Sequence, residues 1–102
     1  MLYIQEEAET RLLTMLSGAL DTLTIANPWE LSTDIGPIID SAALAKISGY
    51  IEDKERKGQL VKKLAVPATG TFCTPAIIRV SGIEEMHEEI FGPVLHLSLI
   101  HI

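Results

Sequence analysis

Near its C-terminal end the chain reads His87-Glu88-Glu89-Ile90-Phe91-Gly92-Pro93-Val94, and this stretch limits what the rest can fold into. Pro93 has no backbone N–H and fixes its own φ, so a helix does not run through it. Gly92 has access to backbone conformations closed to other residues, and the proline restrains it in turn. Two acids running into Ile90-Phe91 therefore end at a rigid corner, and an apolar run leaves it. The corner presents a carboxylate acceptor, Glu89, beside a flat apolar face, Phe91. The residues alone leave two readings open. One is a binding corner; the other is an ordinary helix-turn-strand junction with Phe91 in the core and both acids in water.

In chain order, Leu2-Tyr3-Ile4 predicts a short strand, with any partner that would precede it missing. Glu6 to about Leu23 predicts a helix. Ala8, Leu12, Met15, Ala19 and Leu23 recur at three- and four-residue spacing, and Leu16 and Leu20 widen the stripe. Glu6, Glu7 and Glu9 suit the positive end of its dipole. Gly18, in its middle, costs about 1 kcal/mol relative to Ala, which predicts a closely packed neighbour.

Asn27-Pro28-Trp29 ends that region, and a loop extends through Gly36-Pro37. Asp40 or Ser41 caps a second helix running to about Lys57, with Ala43, Leu44, Ile47, Tyr50 and Ile51 as its apolar face. The charged run 53–57 is its solvated end and Gly58 its stop. Gln59 to Leu64, Ile77 to Val80 and Val94 to Ile102 predict strands. A loop with Pro67 and Gly70 and a short helix from Ile83 to about Glu88 fall between them. The fold class is α/β, with two main helices packed on a few strands.

A chain of 102 residues with an apolar fraction of 47% fits one small domain or a piece of a larger one. The net charge of −6 argues against nucleic acid as a partner. The single Cys73 excludes an intramolecular disulfide and fits a reducing compartment. No apolar run approaches the ~20 residues that span a bilayer, and the start, Met1-Leu2-Tyr3-Ile4-Gln5-Glu6, has no basic signal-peptide region. The expected location is the cytoplasm.

The spacing of His87, His96 and His101 matches no compact metal set. Cys73 has no local base to lower its pKa, so it reads as a buried structural residue. Neither Gly36-Pro37 nor Gly70 builds a phosphate-cradling loop. The Glu89/Phe91 corner is the one candidate site left, and it points to binding more than to bond-making.

Glu88-Glu89-Ile90-Phe91-Gly92-Pro93-Val94 resembles the Glu-Ile-Phe-Gly-Pro signature of the NAD(P)-dependent aldehyde dehydrogenase superfamily. Leu2-Tyr3-Ile4-Gln5-Glu6 resembles the strand after that family's catalytic cysteine segment. Asp34-Ile35-Gly36-Pro37-Ile38-Ile39-Asp40 is similar to its Gly-Pro loop before the next helix. Gly70-Thr71-Phe72 with Pro75, and Gly92-Pro93-Val94-Leu95-His96, look most like the glutamate-semialdehyde (pyrroline-5-carboxylate) dehydrogenase module of proline utilization A. The likeness covers residues 1 to about 96 in unbroken order.

The resemblance implies a partial three-layer aldehyde dehydrogenase catalytic domain, a fragment of an NAD-dependent enzyme that oxidises L-glutamate γ-semialdehyde to L-glutamate in proline catabolism. It implies that Glu89 accepts hydrogen bonds from the nicotinamide ribose hydroxyls and that Phe91 packs by the nicotinamide end of the cofactor. Gly92 and Pro93 are the supporting turn, and Glu88 is structural. The family's cysteine nucleophile matches a position before Met1, and its general-base glutamate and dinucleotide-binding domain lie further upstream. The loop that grips the substrate lies beyond Ile102. On that reading this chain holds no catalytic residue and is inactive alone; its parent takes a small aldehyde substrate and is a homo-oligomer. The alternatives are a standalone NAD-binding or regulatory module, and a structural or oligomerisation fragment.

Leu97-Ser98-Leu99-Ile100-His101-Ile102 departs from the family, which continues with polar and basic residues. These six residues can be encoded by the end sequence of a common transposon-derived sequencing adaptor. Residues 97–102 are accordingly expected to be a non-native tail.

Overall fold

The computed structural model describes residues 1–101, and its four strands form one mixed sheet. β1 (Leu2–Gln5), β4 (Val94–Ile100), β3 (Ala76–Arg79) and β2 (Leu60–Lys63) lie side by side in that order. β4 runs parallel to both neighbours, with Leu97 opposite Leu2 on one side and Arg79 on the other. β2 closes the far edge antiparallel to β3, with its register broken between Leu60 and Lys62.

The helices cover opposite faces of this sheet. α1 (Glu9–Asp21) lays Leu12, Leu13, Leu16 and Leu20 over Ile4, Ile77 and Leu97. α2 (Ser41–Arg56) sets Ile47 and Ile51 against Ala76, Ile78 and Val80. Strand side chains alternate between faces, so adjacent Ile77 and Ile78 feed different cores. Both are at most 2% exposed, and burying an isoleucine in this way contributes about 1.5–3 kcal/mol. The result is the expected α/β arrangement of helix, sheet and helix in three layers.

Local chemistry sets the element ends. The Asp40 carboxylate accepts from the Ala43 N–H at 2.7 Å and caps α2. Gly58, at φ +74°, stops it in the left-handed region that favours glycine. α1 follows a 3₁₀ turn at Glu6–Ala8, so its regular part starts later than the periodicity predicts. Ion pairs tie both its ends to the sheet, Arg79 with Glu9 and Lys62 with Asp21, the latter at 2.8 Å.

Several expectations shift. Met15 is 66% exposed, and Leu13 takes its place on the inward stripe. No neighbour approaches Gly18, since a Cβ there would meet nothing within 4 Å. Lys54, expected at the solvated end of α2, is only 7% exposed. The helix expected from Ile83 to Glu88 shrinks to a 3₁₀ turn at Ile83–Glu85, after which Met86 is extended. Continuing it would stack Glu84 on Glu88 and Glu85 on Glu89, like charges one helical turn apart.

β4 ends at Ile100. Residues 97–100, where the non-native tail was expected to begin, pair with β1. Ile102, which both the strand and tail expectations included, lies outside the described residues.

Candidate functional site

The Gly92-Pro93 corner is fastened by two backbone hydrogen bonds. The Val94 N–H donates to the Gly92 carbonyl at 2.8 Å, closing a tight three-residue turn, and the Ala76 N–H donates to the Pro93 carbonyl at 3.0 Å. Gly92 does not occupy the left-handed region, contrary to the conformational freedom the sequence offered. Proximity is what demands glycine there: a Cβ at this position would stand 2.8 Å from Ile47 Cδ1. The corner thus lies directly on α2, and Ile47 is itself 4% exposed and held in the core.

That contact places residues 89–91 beside the first half of α2. Glu89, Ile90 and Phe91 face Ala43, Lys46 and Ile47 across a cavity of about 210 Å³. Phe91 is 79% exposed rather than buried in the core. The two acids differ in their surroundings. Glu88 pairs with Lys46 at 3.2 Å, whereas Glu89 has no ion pair or hydrogen-bond partner among the described residues. An unoccupied carboxylate, an ammonium and a flat apolar ring therefore surround one small hollow.

Cavities that take a whole small ligand run to roughly 300–1,000 Å³. This hollow is smaller than that and suits one part of a larger molecule. A free carboxylate such as Glu89 is the kind of acceptor that a vicinal diol requires, and exposed Phe91 offers an apolar surface beside it. Sequence reasoning missed Lys46 as a lining residue. Nothing local marks it, because its relation to Glu88 spans two distant segments.

A second polar group lies under the other half of α2. The Tyr50 hydroxyl and His96 Nε2 are 2.7 Å apart, with the rings edge-on at 61°. The Lys54 ammonium sits 5.5 Å from the centre of the Tyr50 ring, 3.5 Å from Gln59 Oε1 and 3.6 Å from the Glu85 carboxylate. The Gln59 amide donates to Glu85 at 2.9 Å and to the Arg79 carbonyl at 3.1 Å.

These surroundings move several pKa values. Burial pushes His96 below its ordinary value, helped by the Met1 amino group and Lys54. Burial also pushes Tyr50 up, with Glu85 and Asp53 adding to it. The hydrogen bond from Gln59 holds Glu85 down, with help from Lys54 and Ser81. Cys73 is 1% exposed and its thiol is pushed up by burial, which leaves it a poor nucleophile. Among the described residues no cluster of three or more His, Cys, Asp or Glu is placed to hold a metal ion, and no helix is long and apolar enough to cross a membrane.

A family model described as "Aldehyde dehydrogenase family" matches residues 1–101, and this chain belongs to that family. Bifunctional protein PutA of Klebsiella aerogenes is 39% identical over 105 residues, covering 95% of this chain and 8% of that protein. A 1-pyrroline-5-carboxylate dehydrogenase of Bacillus pumilus is 34% identical over 100 residues, covering 93% of this chain and 19% of that enzyme. A structure of proline utilization A from Bradyrhizobium japonicum superposes with a TM-score of 0.91 at 30% identity, over 98% of this chain and 10% of the other. The fold extends to betaine aldehyde dehydrogenase of Staphylococcus aureus in complex with NAD+, with a TM-score of 0.83 at 21% identity and 22% of that chain covered. This chain therefore spans less than a quarter of each of these proteins.

Proposed function

We propose that this chain is the cofactor-anchoring part of an NAD-dependent dehydrogenase that oxidises L-glutamate γ-semialdehyde to L-glutamate in proline catabolism. The observation that carries this reading is the free Glu89 carboxylate beside exposed Phe91, over a cavity of about 210 Å³. It lies within a segment similar to PutA and 1-pyrroline-5-carboxylate dehydrogenase. NAD, when bound to the longer protein, accepts the hydride.

This chain's residues hold the cofactor in place. Glu89 accepts from the ribose hydroxyls, and Phe91 covers one side of the nicotinamide end. Lys46, paired with Glu88, supplies a second polar contact at the rim. Gly92 and Pro93 keep the corner pressed on α2. The reaction needs a nucleophile that this chain does not provide in Cys73, so the segment acts only within a longer protein. That parent is a cytoplasmic homo-oligomer, and its partners are small molecules rather than nucleic acid.

The test is NADH formation from glutamate semialdehyde by a longer protein carrying this segment. Succinate semialdehyde and betaine aldehyde are the competing substrates. Preference for glutamate semialdehyde in the parent, and weakened cofactor affinity in Glu89→Gln, are the expected results. Preference for another aldehyde would remove the substrate assignment, and an indifferent Glu89→Gln would remove the cofactor assignment.

A further inference from the structure

The segment from Gly82 to Phe91 links β3 to β4 with one 3₁₀ turn and no strand, and its residues 85–88 and 90 line a cavity of about 420 Å³ together with the second half of α2. Its polar attachments are few. Glu85 is held by Gln59 and Lys54, Ser81 reaches Glu85 at 3.3 Å, and Glu88 pairs with Lys46 at the surface. Lys54 also touches Tyr50, and Tyr50 is joined to His96. His96 is 6% exposed and belongs to β4, which is flanked by strands on both sides and has little freedom to move.

We infer that the Tyr50–His96–Lys54–Glu85 cluster is an acid-sensitive latch that holds the 82–91 segment, and with it the Glu89/Phe91 corner, against α2. In the Nδ1–H tautomer of the neutral imidazole, Nε2 accepts from the Tyr50 hydroxyl. Protonation turns Nε2 into a donor, reverses that bond and leaves the hydroxyl proton without its acceptor. It also adds a second positive charge to the field of Lys54, and both residues are more than nine-tenths buried. The titratable and charged groups that face His96 are Tyr50 and Lys54 from α2 and Glu85 from the 3₁₀ turn, with the Met1 amino group added where Met1 is the first residue. Only Glu85 favours the charged imidazole, and it is already engaged by Gln59 and Lys54.

The remaining relief is entry of more water from the adjoining cavity, and the part that can yield is the strand-free 82–91 segment, anchored by Met86 and Ile90 and these polar contacts, rather than β4. Burial holds the folded His96 pKa below its ordinary 6.5, so the folded state binds fewer protons than the opened one. The latch is therefore closed above that ordinary value and loosens as pH falls toward and through the folded value. It is a property of the fold and does not depend on what the corner binds.

The experiment is nuclear magnetic resonance on the full chain between about pH 7 and about pH 5, the range where a histidine changes charge. It follows the His96 imidazole together with protection of the Glu85 and Met86 amides, which donate within the 3₁₀ turn. The expected result is a fall in their protection of up to about tenfold per pH unit, as one linked proton requires, with its midpoint between the folded imidazole's own midpoint and the ordinary 6.5. The Ile77 and Leu97 amides should stay protected.

His96→Gln, which keeps an acceptor but cannot take the charge, should abolish the response. His87→Gln and His101→Gln should retain it. A midpoint of the fall outside the span between the folded imidazole's own midpoint and 6.5, equal loss at Ile77 and Leu97, or an unchanged response in His96→Gln each overturn the latch. The midpoint comparison needs only the unsubstituted chain, so it decides the matter even if the variant does not fold.

Discussion

The Lys46 ammonium lies 3.2 Å from the Glu88 carboxylate and engages it, while the adjacent Glu89 carboxylate stays free over the same cavity. Two neighbouring acids of one chemical type are thus divided by a single cation on α2. Both members of the pair are more than half exposed, and exposed ion pairs contribute roughly 0–1 kcal/mol. Glu88→Gln is therefore expected to leave the melting temperature almost unchanged, as read by circular dichroism. A large drop would show that the pair holds the corner in place.

Gly92 gives a sharper test of the corner's seat. Adding a methyl group at 2.8 Å from Ile47 Cδ1 forces either the core isoleucine or the turn to shift. Gly92→Ala should cost about 1–3 kcal/mol in denaturant unfolding, as overpacking does. Ile47→Val removes the offending carbon, and alone it should cost about 0.5–1.5 kcal/mol. Combined, the two should cost less than their sum, because the clash disappears. Additive costs would show that the glycine is needed for another reason.

The helix cap is independent of the site. Asp40→Ala removes the acceptor of the Ala43 N–H and should destabilise the chain by about 0.5–2 kcal/mol, while Asp40→Asn should recover most of the loss. The measurement is the midpoint of urea unfolding for the three proteins.

At lower pH a different group governs stability. The Gln59 hydrogen bond holds Glu85 below its ordinary 4.5, so its contribution is present above that value and is lost as pH falls through the folded pKa. Melting temperature should therefore fall again on acidification below about pH 4.5, apart from the histidine range. Gln59→Leu, which removes the largest cause of the shift, should flatten that lower limb. An unaltered limb would assign it to other carboxylates.

The elements were legible because their signals are local. Asp40 at the start of α2, Gly58 at its end, the β-branched run of β3 and the apolar run of β4 each act within a few residues. What escaped depends on neighbours far along the chain. Lys54 lies in a run of charges that reads as solvated, and it is buried only because Gln59 and Glu85 arrive from other elements. His96 looked like one of three scattered histidines until α2 brought Tyr50 to it. Met15 and Leu13 are both apolar, and only the docking angle of α1 decided which faced inward. At the site, Glu89 and Phe91 were visible from their own motif. The reason for Gly92, which is Ile47, was not.

The most direct test of the central claim is NAD+ affinity, measured by calorimetry on a longer protein carrying this segment, for the parent, Glu89→Gln and Glu88→Gln. Loss of the charge-assisted acceptor should cost about 1.5–3 kcal/mol of cofactor binding, or roughly ten- to hundred-fold in affinity. Glu88→Gln should bind almost as the parent does, and both variants should melt near the parent's temperature. Unchanged NAD+ affinity in Glu89→Gln, or an equal loss in both variants, would contradict the assignment of Glu89 to the cofactor.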